Sequence, residues 1–418
     1  MPQPRQHDVV VIGCGAVGLP LAVALASRGV VALGVDSDAA KAAELGAGRS
    51  ELVDVGLADS LRAGLASGRL AFANALGATN HASAYIIATP TPALADGGFD
   101  RAPLEQALAD VVAVARPGDL VCVRSTVPIG ATRGLATAFS ASGLAFAACP
   151  DRSVAGNAYA EQFSIPHIVG GLDEAAGARA GALFAALGAV VRTPDPETAE
   201  AIKLFANVQR DVSFALANQF ALICEAAGVD FAAVRQAGAA GFPRFSLARP
   251  GPVGGPCLTK DLALLLASEG VERVDTALLR AARTLNEDLV EHVADAVEAA
   301  LVGRPNGAVA ILGLAFKGEP PTADRRGAFA DALTARLRQR RPLIDLRHWD
   351  PVGDPRLTRR AAVRGAAVVV LANDHADLAQ ALDADLAPGA VVFDVTGLVG
   401  HGASFDVRRL GDGARRGV

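Results

Sequence analysis

Apolar residues fall along the chain in two rhythms. Short unbroken apolar runs at residues 8–12, 30–35, 84–88, 120–123 and 144–148 predict strands buried on both faces, as in a parallel sheet. Between them, residues 19–28 and 104–115 carry apolar positions at helical spacing. Residues 197–228 form one long helical pattern with an apolar stripe of Ile202, Phe205, Val208, Val212, Ala215, Phe220 and Ile223, and Gly228 marks its stop. A helix this apolar is expected to pack against more than its own domain, and the core of a homodimer is one solution. A further helix over residues 275–301 leads to a Gly/Pro-marked break at 303–307, and a second strand series follows at 309–312, 343–349, 366–371 and 390–394. The pattern predicts an α/β protein in three parts: residues 1–196, a central helical region at 197–302, and a second α/β domain at 303–418.

Composition narrows this picture. The 418 residues suffice for two or three domains with sizeable cores. Half the residues are apolar, a fifth are charged, and alanine is abundant while aromatics are scarce, as in a soluble protein with small-residue helix packing. A net charge of −5 with no basic run argues against a nucleic-acid partner. The five cysteines are odd in number and widely spaced, so neither a disulfide framework nor a metal site is expected, and a reducing cytoplasm fits. Residues 9–26 are nearly all apolar or glycine, yet Gly13, Gly15, Gly18 and Pro20 interrupt them, and residues 1–8 lack the apolar core of a signal peptide. The expectation is a cytoplasmic protein with no membrane segment.

Chemistry enters at the ends of the predicted strands. The first strand runs into Gly13-Cys14-Gly15-Ala16-Val17-Gly18, then a helix, a second strand and Asp36, eighteen residues after Gly18. In that context the glycines read as a dinucleotide fingerprint. Gly13 makes the turn, Gly15 admits a pyrophosphate, and Gly18 allows close helix–strand packing. The helix N-terminus offers unpaired N–H groups to the phosphates. A carboxylate at Asp36 suits the ribose hydroxyls of NAD and repels the 2′-phosphate of NADP. Thr91, Thr126 and Asp151 follow later strands at the end where such sheets bind ligands, although each reads equally well as a turn or cap residue. Lys203 and Asn207, four apart on the long helix, present two donors on one face, as a developing oxyanion requires. In Gly254-Gly255-Pro256-Cys257-Leu258-Thr259-Lys260-Asp261, tight glycines deliver a cysteine, and a helix starting there places Asp261 on the same face one turn later. A buried thiol near a helix cap is the competing reading. Lys317 after the first strand of the last domain suits a phosphate or plain solvent.

The runs VIGCGAVGLPLA, TPTP, STVPIG, CPDRSVAGNA, KLFANVQRDVSFALANQFALICE, GPVGGPCLTKD and GLAFKGEPPTADRRG together resemble the UDP-glucose/GDP-mannose dehydrogenase family in order over nearly the whole chain. The resemblance implies two Rossmann-like domains joined by a long central helix that forms a dimer core. It also implies oxidation of a nucleotide sugar's C6 alcohol to a carboxylate with two NAD per sugar. Cys257 is then the nucleophile, forming a thiohemiacetal and then a thioester. Lys203 and Asn207 match the oxyanion stabilisers, and Asp261 and Thr126 match groups that position or activate water. For NAD the resemblance implies Gly13, Gly15, Val17, Gly18, Asp36, Lys41, Thr91, Thr126 and Arg326, the last with two extra residues after Lys317. Lys317 matches a UDP-sugar contact, Gly254 and Gly255 lie in the substrate loop, and Arg244 stands where the family often sends an arginine across the dimer.

Two positions depart from the family pattern. Asp151 replaces a glutamate and is one methylene shorter, which puts its deacylation role in doubt. Thr396 replaces an arginine after Asp394. The form of CPDRSVAG and GPVGGPCL leans toward the UDP-N-acetylhexosamine branch, mannosamine or glucosamine, ahead of UDP-glucose and then GDP-mannose. Two competitors are a two-electron hydroxyacid-type dehydrogenase, which needs no cysteine, and a non-catalytic NAD or nucleotide-sugar binder.

Overall fold

A computed structural model describes residues 6–94, 98–304, 306–352, 358–380, 382, 386, 388–399 and 405–413. The chain forms two compact units, Met1–Ala206 with Lys260–Asp275, and Asn207–Thr259 with Thr276–Val418.

The first unit is built on an eight-stranded sheet. Its strands are β1 (Val9–Ile12), β2 (Ala32–Val35), β3 (Leu70–Ala73), β4 (Ala84–Ile87), β5 (Leu120–Val123), β6 (Ala145–Ala148), β7 (His167–Gly171) and β8 (Val190–Thr193), in the order β3-β2-β1-β4-β5-β6-β7-β8. All neighbours are parallel except β6 and β7. The apolar runs are continuous because both faces are covered. Val9, Val11, Ile86 and Cys122 enter one core, and Val10, Ile12, Tyr85, Ile87, Val121 and Val123 enter the other. Helix Gly18–Ser27 is buried along all but its last residue, so residues 9–26 are a core strand, a turn and a core helix. Pro20 sits in its first turn, where its missing N–H costs no helical bond. Strands β3, β7 and β8 lay outside the predicted set. Val191 in β8 is exposed, and β7 ends in two glycines, so neither shows a plain apolar run.

The second unit holds a five-stranded parallel sheet of β9 (Ala308–Leu312), β10 (Leu346–Trp349), β11 (Ala366–Leu371), β12 (Val391–Asp394) and β13 (Asp406–Arg409), ordered β10-β9-β11-β12-β13. The predicted strand at 343–349 starts three residues later, and Leu343 is almost fully exposed. Charged β13 was not predicted because its sequence, DVRR, has no apolar run. Thus α/β architecture with two Rossmann-like sheets and a long helix is observed.

That helix, Pro196–Ala227, is continuous, and Gly228 ends it at a left-handed φ of 69°. The expected apolar stripe splits. Val208 and Ala215 are buried, whereas Phe205, Phe220 and Ile223 are exposed. The buried face instead includes a polar seam of Glu200, Lys203, Asn207, Asp211 and Asn218, spaced by three, four, four and seven residues. Among the described residues no single helix is long and apolar enough to cross a membrane.

Candidate active site

In the first unit the order reverses between neighbouring β1 and β4, which is where open α/β sheets bind ligands. The fingerprint follows β1. A side chain on Gly13, at φ 89°, would come within 2.6 Å of the Ala88 carbonyl oxygen, and one on Gly18 within 1.9 Å of the Gly13 oxygen. A side chain on Gly15 would meet nothing within 4 Å, so the backbone there faces open space. Val17 occupies the helix N-cap with no side-chain cap bond, leaving the helix-end amides to a ligand.

Asp36 closes β2. Its carboxylate accepts the Cys14 amide at 3.0 Å and the Asp38 amide at 3.1 Å, and pairs with Lys41 at 2.9 Å. Burial pushes this carboxyl up, but Lys41 and the two amides outweigh it and hold it below the usual aspartate value. The arrangement fits NAD: a tight turn, an open phosphate approach, and an ionised acid at the end of β2. The neighbouring Cys14 thiol is pushed up to about 12 by burial and then by Asp36, so it stays protonated.

The loops after β4 and β5 are tied together. Thr91 Oγ1 donates to the Thr126 carbonyl oxygen at 2.6 Å, and Ser125 Oγ donates to the Thr89 oxygen at 2.7 Å. After β6, Asp151 turns inward. The Arg124 guanidinium donates to Asp151 Oδ1 at 2.6 Å, to the Cys149 and Pro150 carbonyls at 3.1 and 3.3 Å, and to Gln162 Oε1 at 3.1 Å. Ser153 Oγ donates to Asp151 Oδ2 at 2.6 Å. Both carboxylate oxygens are therefore engaged. Burial pushes Asp151 up, yet the charges of Arg124 and Lys203, with the Ser153 and Gln162 bonds, bring it below its ordinary value. Asp151 and Lys203 are thus brought together electrostatically.

Asp261 is buried and pairs with Lys260 Nζ at 2.9 Å. It opens helix Asp261–Leu266, and residues 256–260 are turns. The expected helical relation between Cys257 and Asp261 is therefore not formed. Pro256 and the two glycines keep the backbone irregular up to residue 260.

In the second unit Cys257 is exposed, whereas Cys14, Cys122 and Cys149 are buried and Cys224 is half-buried. A side chain on Gly255, at φ 94°, would meet the Phe316 ring at 2.7 Å, and one on Gly254 would meet the Gly327 carbonyl oxygen at 2.5 Å. Those close approaches seat the cysteine loop on the GLAFK and RRG segments. Arg326 pairs with Asp324 at 2.6 Å. That bond foremost, and Cys257 among the weaker electrostatic partners, raise its affinity for its proton.

The long helix grips the same loop. Arg283 Nη1 donates to Asp211 Oδ1 at 2.8 Å and to the Leu258 carbonyl oxygen at 3.3 Å. Asn218 donates to the Gly251 oxygen at 3.0 Å and accepts the Gly251 amide at 2.7 Å. Asn286 Nδ2 donates to Asp211 Oδ1 at 2.8 Å. Lys317 lies 5.8 Å from the Phe316 ring centre, and exposed Arg244 lies 4.8 Å from that of Phe242. Thr396 Oγ1 donates to the Asn373 oxygen at 3.2 Å, a local tie in place of the arginine expected there.

Sequence reading missed Arg124, Glu200, Asn218, Arg283 and Asn286. The signal available for Glu200 and Asn218 was their helical register with Lys203 and Asn207. Arg124, Arg283 and Asn286 act on residues far along the chain and left none.

Residues 7–188 match the NAD binding domain of the UDP-glucose/GDP-mannose dehydrogenase family, and residues 197–288 match its central domain. A UDP-N-acetyl-D-mannosamine dehydrogenase from Pyrococcus horikoshii is 32% identical, with 88% of this chain and 89% of the relative covered. An NDP-N-acetyl-D-galactosaminuronic acid dehydrogenase from Ralstonia nicotianae is 31% identical over 94% of this chain and 96% of its own length. The solved structure of a UDP-D-ManNAc dehydrogenase from Pyrococcus horikoshii superposes with a TM-score of 0.88 at 28% identity, covering 97% of this chain and 99% of that one.

Proposed function

The chain belongs to the UDP-glucose/GDP-mannose dehydrogenase family as an NAD-dependent nucleotide-sugar dehydrogenase, and we propose that it oxidises the C6 alcohol of a UDP-N-acetylhexosamine to the carboxylate through Cys257. The observation that carries this reading is the exposed Cys257 thiol, set by Gly254 and Gly255 against Phe316 and Gly327 and anchored through Leu258 by Arg283. A thiol kept only for packing is normally buried, as Cys14, Cys122 and Cys149 are.

NAD supplies the hydride acceptor at each of two stages. Gly13, Gly15, Val17, Gly18, Asp36, Lys41, Thr91, Thr126 and Arg326 would hold it. Loss of the first hydride and the hydroxyl proton leaves an aldehyde at C6. The Cys257 sulfur adds to its carbonyl carbon while the thiol proton passes to the C6 oxygen, and the thiohemiacetal is a tetrahedral carbinol whose remaining C–H can leave as a second hydride. Lys203 and Asn207, one helical turn apart, donate hydrogen bonds to the C6 oxygen as negative charge develops on it. Loss of the second hydride and of the hydroxyl proton leaves a thioester. Water, oriented by Thr126 and Asp261, adds to the acyl carbon. The C–S bond breaks, and a water proton passes to the released sulfur.

In this scheme Asp151 acts as a fixed charge beside Lys203, because Arg124 and Ser153 already occupy its oxygens. Gly254, Gly255, Lys317 and Arg244 are assigned to substrate contact. The exposed Phe205, Phe220 and Ile223 of the long helix are assigned to a homodimer interface. The domain reading remains an NAD-binding region at 1–196, a central helical region at 197–302, and a nucleotide-sugar region at 303–418. The N-acetylhexosamine assignment draws on the CPDRSVAG sequence and on the names of the two similar enzymes. A panel of UDP-N-acetylmannosamine, UDP-N-acetylglucosamine, UDP-N-acetylgalactosamine, UDP-glucose and GDP-mannose tests it. Turnover confined to UDP-glucose or GDP-mannose would overturn the substrate assignment.

A further inference from the structure

Glu200 is a carboxylate of the polar seam on the long helix that the reaction scheme leaves without a role, and unlike Asp211 it has no arginine ion pair among the described residues. It is only 3% exposed. Its Oε2 accepts the Gly130 amide at 2.7 Å, and its Oε1 accepts the Thr132 amide at 2.8 Å. Those amides belong to the first turn of helix Ala131–Ala138, whose N-cap, Gly130, has φ 92° and no side-chain cap bond. The helix is therefore capped from another element. The capped turn continues the segment that begins at Thr126. Next to it, the Ile129 amide donates to Ser268 Oγ at 2.9 Å. Glu200 precedes Lys203 by three residues on the same helical face.

We propose that Glu200 is a positioning residue for the oxidation, joining the helix that carries Lys203 to the Thr126 loop by capping helix Ala131–Ala138. This rests on the assignment of Lys203 and Thr126 to the reaction. The ionised carboxylate accepts both amides with charge assistance. Protonation turns one oxygen into a donor and weakens one of the two bonds.

The charged groups around Glu200 are Glu197 and, on the same face of its helix, Lys203, together with Arg133 on the capped helix, and Glu197 and Arg133 pair with each other at 2.6 Å. Ser268, which accepts the neighbouring Ile129 amide, is neutral. Burial pushes Glu200 up to about 7, and the amide bonds only partly offset this. The joint thus loosens within the range where such an enzyme is assayed.

The test compares wild-type protein with Glu200→Gln, Lys203→Ala and Thr126→Ala. The wild-type kcat is expected to rise through about pH 7, while Glu200→Gln stays at the low-pH level throughout, about tenfold down near pH 8 with KM changed less than about threefold. Should Glu200→Gln not fold, the Thr132 amide resonance of 15N-threonine-labelled wild-type protein is expected to titrate near pH 7. An unchanged rising limb in Glu200→Gln, or a Thr132 amide that does not titrate there, would overturn the proposal. Full activity in Lys203→Ala or Thr126→Ala would instead sink the reading on which it rests, whatever Glu200 does.

Discussion

Replacing Arg124 with methionine removes the guanidinium from a pocket where it is 2% exposed and meets four acceptors. Asp151, 5% exposed, then keeps the Ser153 and Gln162 side chains and the more distant charge of Lys203. Breaking one side of a buried pair costs about 3–5 kcal/mol, because the surviving charge stays desolvated. Asp151→Asn leaves Arg124 an amide oxygen to bond and is expected to cost about 1–3 kcal/mol. Replacing both residues with apolar side chains should cost less than the sum of the single changes, with a coupling of about 2 kcal/mol. Urea unfolding reads this out with separate probes. The only tryptophan, Trp349, lies in the second unit, and the only tyrosines, Tyr85 and Tyr159, lie in the first. The tyrosine transition should move to lower urea, and the tryptophan transition should serve as the control. An Arg124→Met protein within about 1 kcal/mol of wild type would refute the claim that Asp151 is held as a buried ion pair rather than left free to act on water.

Glu200 gives stability a distinctive pH dependence. Its carboxyl is raised from 4.5 to about 7, so the folded state holds more protons than the unfolded one across that window. The associated stability is present below 4.5 and lost as pH rises through about 7, amounting to about 3 kcal/mol. Asp151, held below its ordinary value, contributes the opposite slope in acid: its stability is present above 3.8 and lost as pH falls below it. Glu200→Gln should flatten the near-neutral slope in thermal melts taken at several pH values, and an unchanged slope would count against the assignment. Asp36→Ser should shift the NADP-to-NAD ratio of kcat/KM by at least about tenfold toward NADP, since the repelling carboxylate is gone. An unmoved ratio would remove Asp36 from the ribose site. Phe220→Glu places a charge on the exposed apolar face of the long helix, and sedimentation should show it converting a dimer to monomer. A wild-type protein that sediments as a monomer would remove the dimer proposal.

The frame of the fold was legible because its central strands are buried on both faces and announce themselves as pure apolar runs. The first core strand, the glycine turn, the helix behind it and Asp36 stand in sequence order, so the dinucleotide fingerprint is legible in the sequence itself. Strands β7 and β8 are not, since one ends in glycines and the other is half exposed. Cys257, Lys203, Asn207 and Thr126 stood out as candidates from their types and spacing. What held them did not. The grip of Arg124 on Asp151 spans 27 residues, that of Glu200 on Gly130 spans 70, and that of Arg283 on Asp211 spans 72. Such contacts exist only after folding, and no periodicity encodes them. The long helix shows the same limit. Its apolar stripe was visible, but not which part faces inward, because polar residues occupy much of the buried face.

Counting NADH formed per sugar consumed, for wild type and for Cys257→Ser on the best substrate of the panel, tests the central claim most directly. The covalent four-electron scheme predicts two NADH per sugar and a carboxylate product for wild type. It also predicts, for wild-type protein quenched during turnover, an acyl adduct on the peptide containing Cys257. Cys257→Ser should lose most of its acid-forming rate. One NADH per sugar in wild type, or a Cys257→Ser protein forming acid at the wild-type rate, would contradict it.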